Sequence, residues 1–210
     1  MNTTTGLVIL IFLATIFGAF HGSGNGSDKG GFIQNPPVQT DTAVVKTIDI
    51  LLPPPNYSSG AVGALESIQK FISLRNRKLD EPTRTKIAES IVRYSQDVDV
   101  NPRLIAGLIA RESSFNSQAV SVHGAQGLGQ LLPSTSATLE ISDPFDIEQN
   151  VRGTTKYVRG QLDRWSGNPQ QVPYALASYF EGYNAVRRNG GFRPKTREYV
   201  TDIIRFANGM

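Results

Sequence analysis

From Ala64 to the end of the chain, apolar residues return at intervals of three and four and nowhere sustain the alternation of a sheet. That spacing restricts the chain to packed helices. Leu65, Ile68 and Ile72 mark a helix over Ala64–Leu74, and Ile87, Ile91 and Val92 mark one over Pro82–Gln96. Pro102–Arg111 follows, with Asn101 as N-cap and Pro102 at the first helical position. A short helix over Ser134–Leu139 opens behind Pro133, and Val151–Trp165 then presents Val151, Thr155, Val158 and Leu162 on one face. Pro173–Phe180 and Thr196–Phe206 complete the series. Roughly 150 residues are ample for one helical core. No internal repeat is visible.

One residue breaks the apolar pattern. At about 100° per residue, Leu104, Ile105, Leu108 and Ile109 fall on one arc. One further step puts Glu112 inside that arc, while Arg103 and Arg111 point elsewhere. A carboxyl in apolar surroundings near a helix C-terminus keeps its proton towards neutral pH, because burial and the macrodipole both disfavour the anion. Such a group suits general-acid cleavage of a glycosidic bond. The plainer reading is a helix-end Glu that tilts into solvent or caps the next turn.

The residues that follow favour the first reading. Glu112-Ser113-Ser114-Phe115 is succeeded by Gly124-Ala125-Gln126-Gly127-Leu128-Gly129-Gln130-Leu131-Leu132-Pro133. This series resembles the soluble lytic transglycosylase family (the SLT domain, glycoside hydrolase family 23), relatives of goose-type lysozyme that cleave the glycan strands of peptidoglycan. Glu112, Ser113 and Phe115 match its first motif, a Glu-Ser with an aromatic two residues on. Gly127, Leu128, Gln130, Leu131 and Pro133 match its second, with Gly129 and Leu132 where methionines are usual. Asp143-Pro144-Phe145-Asp146, Asn150, Tyr157, Ala175-Leu176-Ala177 and Arg197-Glu198-Tyr199-Val200 fall at family spacing. The resemblance covers residues 87–207 and implies a single, mainly α, lysozyme-like domain over residues 61–210.

The third family motif, Ala-Tyr-Asn-Ala-Gly, is altered. Ser178-Tyr179-Phe180-Glu181-Gly182 keeps Tyr179 and Gly182, replaces the Asn by Phe180, and adds a carboxylate at Glu181. A copy of the motif's letters at Tyr183-Asn184-Ala185 would need a four-residue slip that the following residues argue against. Glu181 is either a solvated loop residue or a second catalytic acid, and the second option changes the reaction.

An inverting hydrolase needs a second carboxylate to activate water, and a retaining enzyme of the usual kind needs one as nucleophile. The resemblance implies a route with one. Glu112 protonates the oxygen between N-acetylmuramic acid and N-acetylglucosamine, then as base takes the proton of the muramic 6-hydroxyl as it attacks C1. The product is a 1,6-anhydro sugar, formed by an intramolecular attack with its entropic advantage. The resemblance further implies substrate-binding roles for Ser113, Phe115, Gln130, Tyr179 and Tyr199, with Tyr179 either hydrogen-bonding near Glu112 or positioning the sugar. Gly124, Gly127 and Gly129 read as loop positions that let backbone approach a ligand closely. Ordinary packing is the alternative for Gln130, Tyr179 and Tyr199. His123 reads as a solvent-exposed loop residue. No cofactor is expected, and two histidines with no cysteine exclude a histidine-rich metal site, a disulfide framework and a thiol nucleophile.

The N-terminal part reads differently. Gly6 to Phe20 is an uncharged run of 15 residues, shorter at about 1.5 Å per residue than the roughly 30 Å hydrocarbon core. No Lys or Arg precedes it, so it reads as a signal segment or a short uncleaved membrane anchor within residues 1–20. Residues 21–60, punctuated by Gly22-Ser23-Gly24, Pro36-Pro37 and Pro53-Pro54-Pro55, read as a tether with an extended apolar piece between Val44 and Leu52. A net charge of +3 and a pI of about 9.2 suit approach to anionic cell wall or phospholipid. Arg187, Arg188, Arg193, Lys195 and Arg197 make a basic segment, but no regular aromatic interleaving points to nucleic acid. The expected partners are peptidoglycan strands and, through residues 6–20, a membrane, with secretion-apparatus or virion assembly partners as further settings. The expected location is the periplasm or cell envelope, or a phage virion membrane. Two rivals stand beside the lyase: a hydrolytic muramidase using Glu112 with Glu181, and an inactive glycan-binding or membrane-associated structural protein.

Overall fold

The computed structural model describes residues 57–210. Their helices are α1 (Tyr57–Arg75), α2 (Glu81–Asp97), α3 (Pro102–Ser113), α4 (Pro133–Thr138), α5 (Ile147–Arg164), α6 (Gln171–Glu181), α7 (Tyr183–Arg188) and α8 (Pro194–Asn208). Side-chain caps set several starts. Asp80 accepts from Thr83 N–H at 2.9 Å, Asn101 from Arg103 N–H at 2.9 Å, and Asp146 from Gln149 N–H at 2.9 Å. The Asp146 cap starts α5 at Ile147, ahead of the Val151 expected from apolar spacing. Residues 57–60, assigned above to the tether, already lie in α1, and α7 was not expected. The hydrophobic run at residues 6–20 and the rest of the tether lie outside the described residues. Among those described, no helix is long and apolar enough to cross a membrane.

α3 is the central helix, packed against α8, α1, α2 and α5. Leu104, Ile105, Leu108 and Ile109 are each at most 2 % exposed, which explains a helix that is apolar nearly all round. Around them lie Ile68 and Ile72 of α1, Ile87 and Ile91 of α2, Val151 and Val158 of α5, and Ile203 of α8. Gly107 permits the α3–α8 contact: a Cβ there would stand 2.7 Å from the Ile203 carbonyl oxygen.

Helix α3 ends at a left-handed residue, Ser114 (φ 51°), followed by a second, Phe115 (φ 61°). This turn drives the Phe115 ring into the core, edge-on to Phe71 at 5.9 Å between centroids. Beyond it the chain winds through residues 116–132 without regular structure, held by the isolated bridges Val120–Gln126 and Gln126–Leu131. Among the described residues there is no named strand.

Candidate active site

Glu112 sits in the last turn of α3 and is 8 % exposed. Tyr199 of α8 donates its hydroxyl to Glu112 Oε1 at 2.5 Å. Oε2 is buried and has no hydrogen-bond partner among the described residues. Burial pushes the carboxyl up to about 7, against the Tyr199 hydrogen bond and the Arg111 charge, which both favour the anion. The site therefore keeps a carboxyl substantially protonated up to neutral pH, with one oxygen fixed by Tyr199 and the other buried without a partner.

Two phenols flank the acid. The Tyr199 ring lies 4.5 Å from that of Phe180, tilted by 31°, with the Arg111 guanidinium 5.7 Å from its centre. Tyr179 of α6 donates to the Gly129 carbonyl at 2.7 Å, and its ring meets Tyr157 of α5 at 5.1 Å. Burial first, and then the charge of Glu112, hold both hydroxyls well above the ordinary tyrosine range. They remain donors at any working pH.

The winding loop is fastened by Asn150, which is wholly buried on α5. Its Oδ1 accepts from Gly129 N–H at 2.8 Å, while its Nδ2 donates to the Pro144 carbonyl at 2.7 Å and the Gln126 carbonyl at 3.2 Å. One amide thus satisfies three backbone groups on two segments. Gly127 (φ 74°) and Gly129 fit because they lack side chains. A Cβ at Gly127 would stand 2.1 Å from the Pro144 oxygen, and one at Gly129 would stand 1.9 Å from Thr154 Oγ1.

A buried acid, a loop pinned beneath it and a final helix bearing its hydroxyl partner form the arrangement that comparison with known proteins explains. The transglycosylase SLT domain model matches residues 89–200. The chain belongs to that family. It is similar to the transglycosylase of Enterobacteria phage PRD1, 35 % identical over 120 residues that cover 57 % of this chain and 42 % of the relative. It is also similar to membrane-bound lytic murein transglycosylase F of Erwinia tasmaniensis, 32 % identical over 127 residues, 59 % of this chain and 25 % of the relative. The matched region spans less than half the length of these relatives. The fold is that of the 70 kDa soluble lytic transglycosylase of Escherichia coli, with a TM-score of 0.51 at 20 % identity, covering 70 % of this chain and 28 % of that one.

This SLT domain brings Glu112, Tyr179 and Tyr199 together and gives the other expected residues different surroundings. Phe115 lies in the core against Phe71, so its ring does not face a ligand. Gly127 approaches Pro144 and Asn150 of its own chain, and Gly129 approaches Thr154, where ligand contact was expected. Gly124 (φ 77°) has open space beside it. Gln130 donates Nε2 to the carbonyls of Gly127 at 2.9 Å and Ala119 at 3.1 Å, which ties the loop to itself. Ser113 Oγ returns to the Ile109 carbonyl at 3.3 Å, four residues back. His123 is exposed at the loop tip. Among the described residues no group of three His, Asp or Glu side chains could hold a metal ion.

Glu181 departs furthest from expectation. Its side chain is 6 % exposed rather than solvated. The carboxylate accepts from the Arg193 N–H at 3.2 Å and from the Thr196 hydroxyl, and Arg193 Nε stands 3.7 Å from Oε2. These contacts hold Glu181 at the start of α8, where a negative charge complements the helix dipole. Asn150, Arg111 and Asp202 are the residues that sequence reasoning gave no role at the site. Its place at family spacing was the available signal for Asn150; nothing local marks the other two.

Replacing Tyr199 by Phe removes the one hydrogen bond that favours the Glu112 anion. The alkaline limb of the kcat/KM profile for glycan cleavage is expected near pH 7 in the wild type and higher in Tyr199→Phe, with a lower plateau. A limb that stays in place or moves down would contradict this assignment.

Proposed function

We propose that this SLT domain is a peptidoglycan lytic transglycosylase that opens the bond between N-acetylmuramic acid and N-acetylglucosamine, with Glu112 acting first as acid and then as base. The observation that carries the reading is a buried carboxyl, raised to about 7 by its burial, whose Oε2 is unpartnered while Oε1 is held by Tyr199. In the first half-step the Glu112 proton passes to the leaving oxygen as the C1–O bond breaks. In the second, the muramic 6-hydroxyl bonds to C1 and gives its proton to Glu112, so the acid is regenerated and no water is consumed. The engagement of Glu181 by Arg193 and Thr196 supports a route with one carboxylate over the muramidase alternative, which needs a second acting at the sugar.

Tyr179 fits as the residue that holds the Gly129 segment beside the acid. The names of the phage and membrane-bound relatives support an envelope or virion setting, with residues 6–20 as the anchor. The test is digestion of purified, dye-labelled peptidoglycan by the full chain in detergent. Soluble muropeptides are expected; binding to the sacculus without release would favour the inactive glycan-binding alternative.

A further inference from the structure

Arg111 stands next to Glu112 in sequence but turns to α8, where its Nε lies 3.2 Å from Asp202 Oδ2. The two side chains are only 17 % and 20 % exposed, so this is a shielded pair. Asp202 lies three residues beyond Tyr199, within one helical turn of it. Two contacts therefore join the end of α3 to the same turn of α8: the Glu112–Tyr199 hydrogen bond and the Arg111–Asp202 ion pair. The guanidinium also lies 5.7 Å from the centre of the Tyr199 ring, whose other neighbour is the Phe180 ring at 4.5 Å. The second oxygen of Asp202 receives Arg205 Nη2 at 2.5 Å, which fixes the carboxylate from its other side.

We propose that the Arg111–Asp202 pair is the positioning device of the acid: it locks Tyr199 against Glu112 and neutralises the one cation beside that carboxyl. The assignment of Glu112 as the acid rests on the function proposed above. The ionisable groups around Glu112 are Arg111 on α3, Tyr199 on α8 and Tyr179 on α6 with Tyr157 of α5 behind it; Asp202 stands behind Arg111 and also holds Arg205. α1 and α2 contribute apolar residues to the same core. Of the two guanidiniums, Arg205 reaches Asp202, while Arg111 acts on Glu112 and favours its anion. Asp202 opposes it. Without Asp202, the uncompensated guanidinium would draw the proton off Glu112 at a lower pH.

The test is a titration of the Glu112 carboxyl carbon by 13C NMR in the glutamate-labelled full chain, with Glu112→Gln to assign the signal. Asp202→Asn is expected to lower the midpoint by roughly half a pH unit, and Arg111→Gln to raise it by a similar amount. The double variant is expected near the wild-type value, and Arg111→Lys, which keeps the charge, should hold that value too. The alkaline limb of kcat/KM should follow the same order. A midpoint unmoved in both single variants would overturn the proposal, as would a double variant no nearer the wild type than either single one. The titration needs no substrate, so a protein that fails to cut peptidoglycan would sink the functional reading and still report on the pair.

Discussion

Glu112→Gln is expected to lower the rate of glycan cleavage at least ~10³-fold, since one residue serves both proton transfers and each is worth on the order of 10²-fold or more. The same variant is expected to be more stable than the wild type at pH 8. The Glu112 carboxyl moves from 4.5 to about 7 on folding, so the native state binds a proton that the unfolded chain has lost. Wild-type stability relative to the Gln variant is intact below pH 4.5, falls between 4.5 and about 7, and is flat above. The full difference is about 3 kcal/mol. Urea unfolding of both proteins at pH 4 and pH 8 reads it directly. Equal stability at pH 8 would mean that the carboxyl ionises at its ordinary value in the fold, and the argument for a stored proton would fail. Loss of activity together with a gain in stability is the mark of a site that holds its acid in an unfavourable place.

Asn150→Ala is expected to produce the largest loss of stability among single changes away from the acid. It leaves the Gly129 N–H and the Pro144 carbonyl without their buried partner, while the Gln126 carbonyl keeps the Leu131 N–H. An unsatisfied buried group costs about 1–3 kcal/mol, and with partial rescue by water in the space left behind the two together cost about 2–4 kcal/mol. Activity should fall as well, because Tyr179 is bonded to the Gly129 carbonyl and the loop would no longer be pinned beneath it. The check is urea unfolding beside a cleavage assay. A cost below about 1 kcal/mol would mean the loop is held by its own bonds, those of Gln130 foremost.

The apolar stripes were legible because helical burial is local: Leu104, Ile105, Leu108 and Ile109 face the core as their spacing requires, as do Val151, Thr155, Val158 and Leu162. Glu112 was legible for the same reason, being a charge on an apolar arc. Its partner was not. Tyr199 lies 87 residues away, and only packing of α8 across Gly107 brings the hydroxyl to the carboxyl. Phe115 shows how a motif residue misleads, since the left-handed turn at Ser114 reverses the chain and sends the ring inward. Glu181 shows the converse. Its burial depends on where Arg193 and Thr196 arrive, a contact that no helical period encodes. The six-residue α7 carries too few apolar positions to announce itself.

The central claim is that Glu112 works through an internal nucleophile and not through water. It is tested most directly by digesting peptidoglycan in H₂¹⁸O and weighing the muropeptides by mass spectrometry. The account predicts 1,6-anhydro-N-acetylmuramic ends without ¹⁸O, absent with Glu112→Gln. Reducing muramic ends carrying ¹⁸O would contradict it and return a second carboxylate to the mechanism.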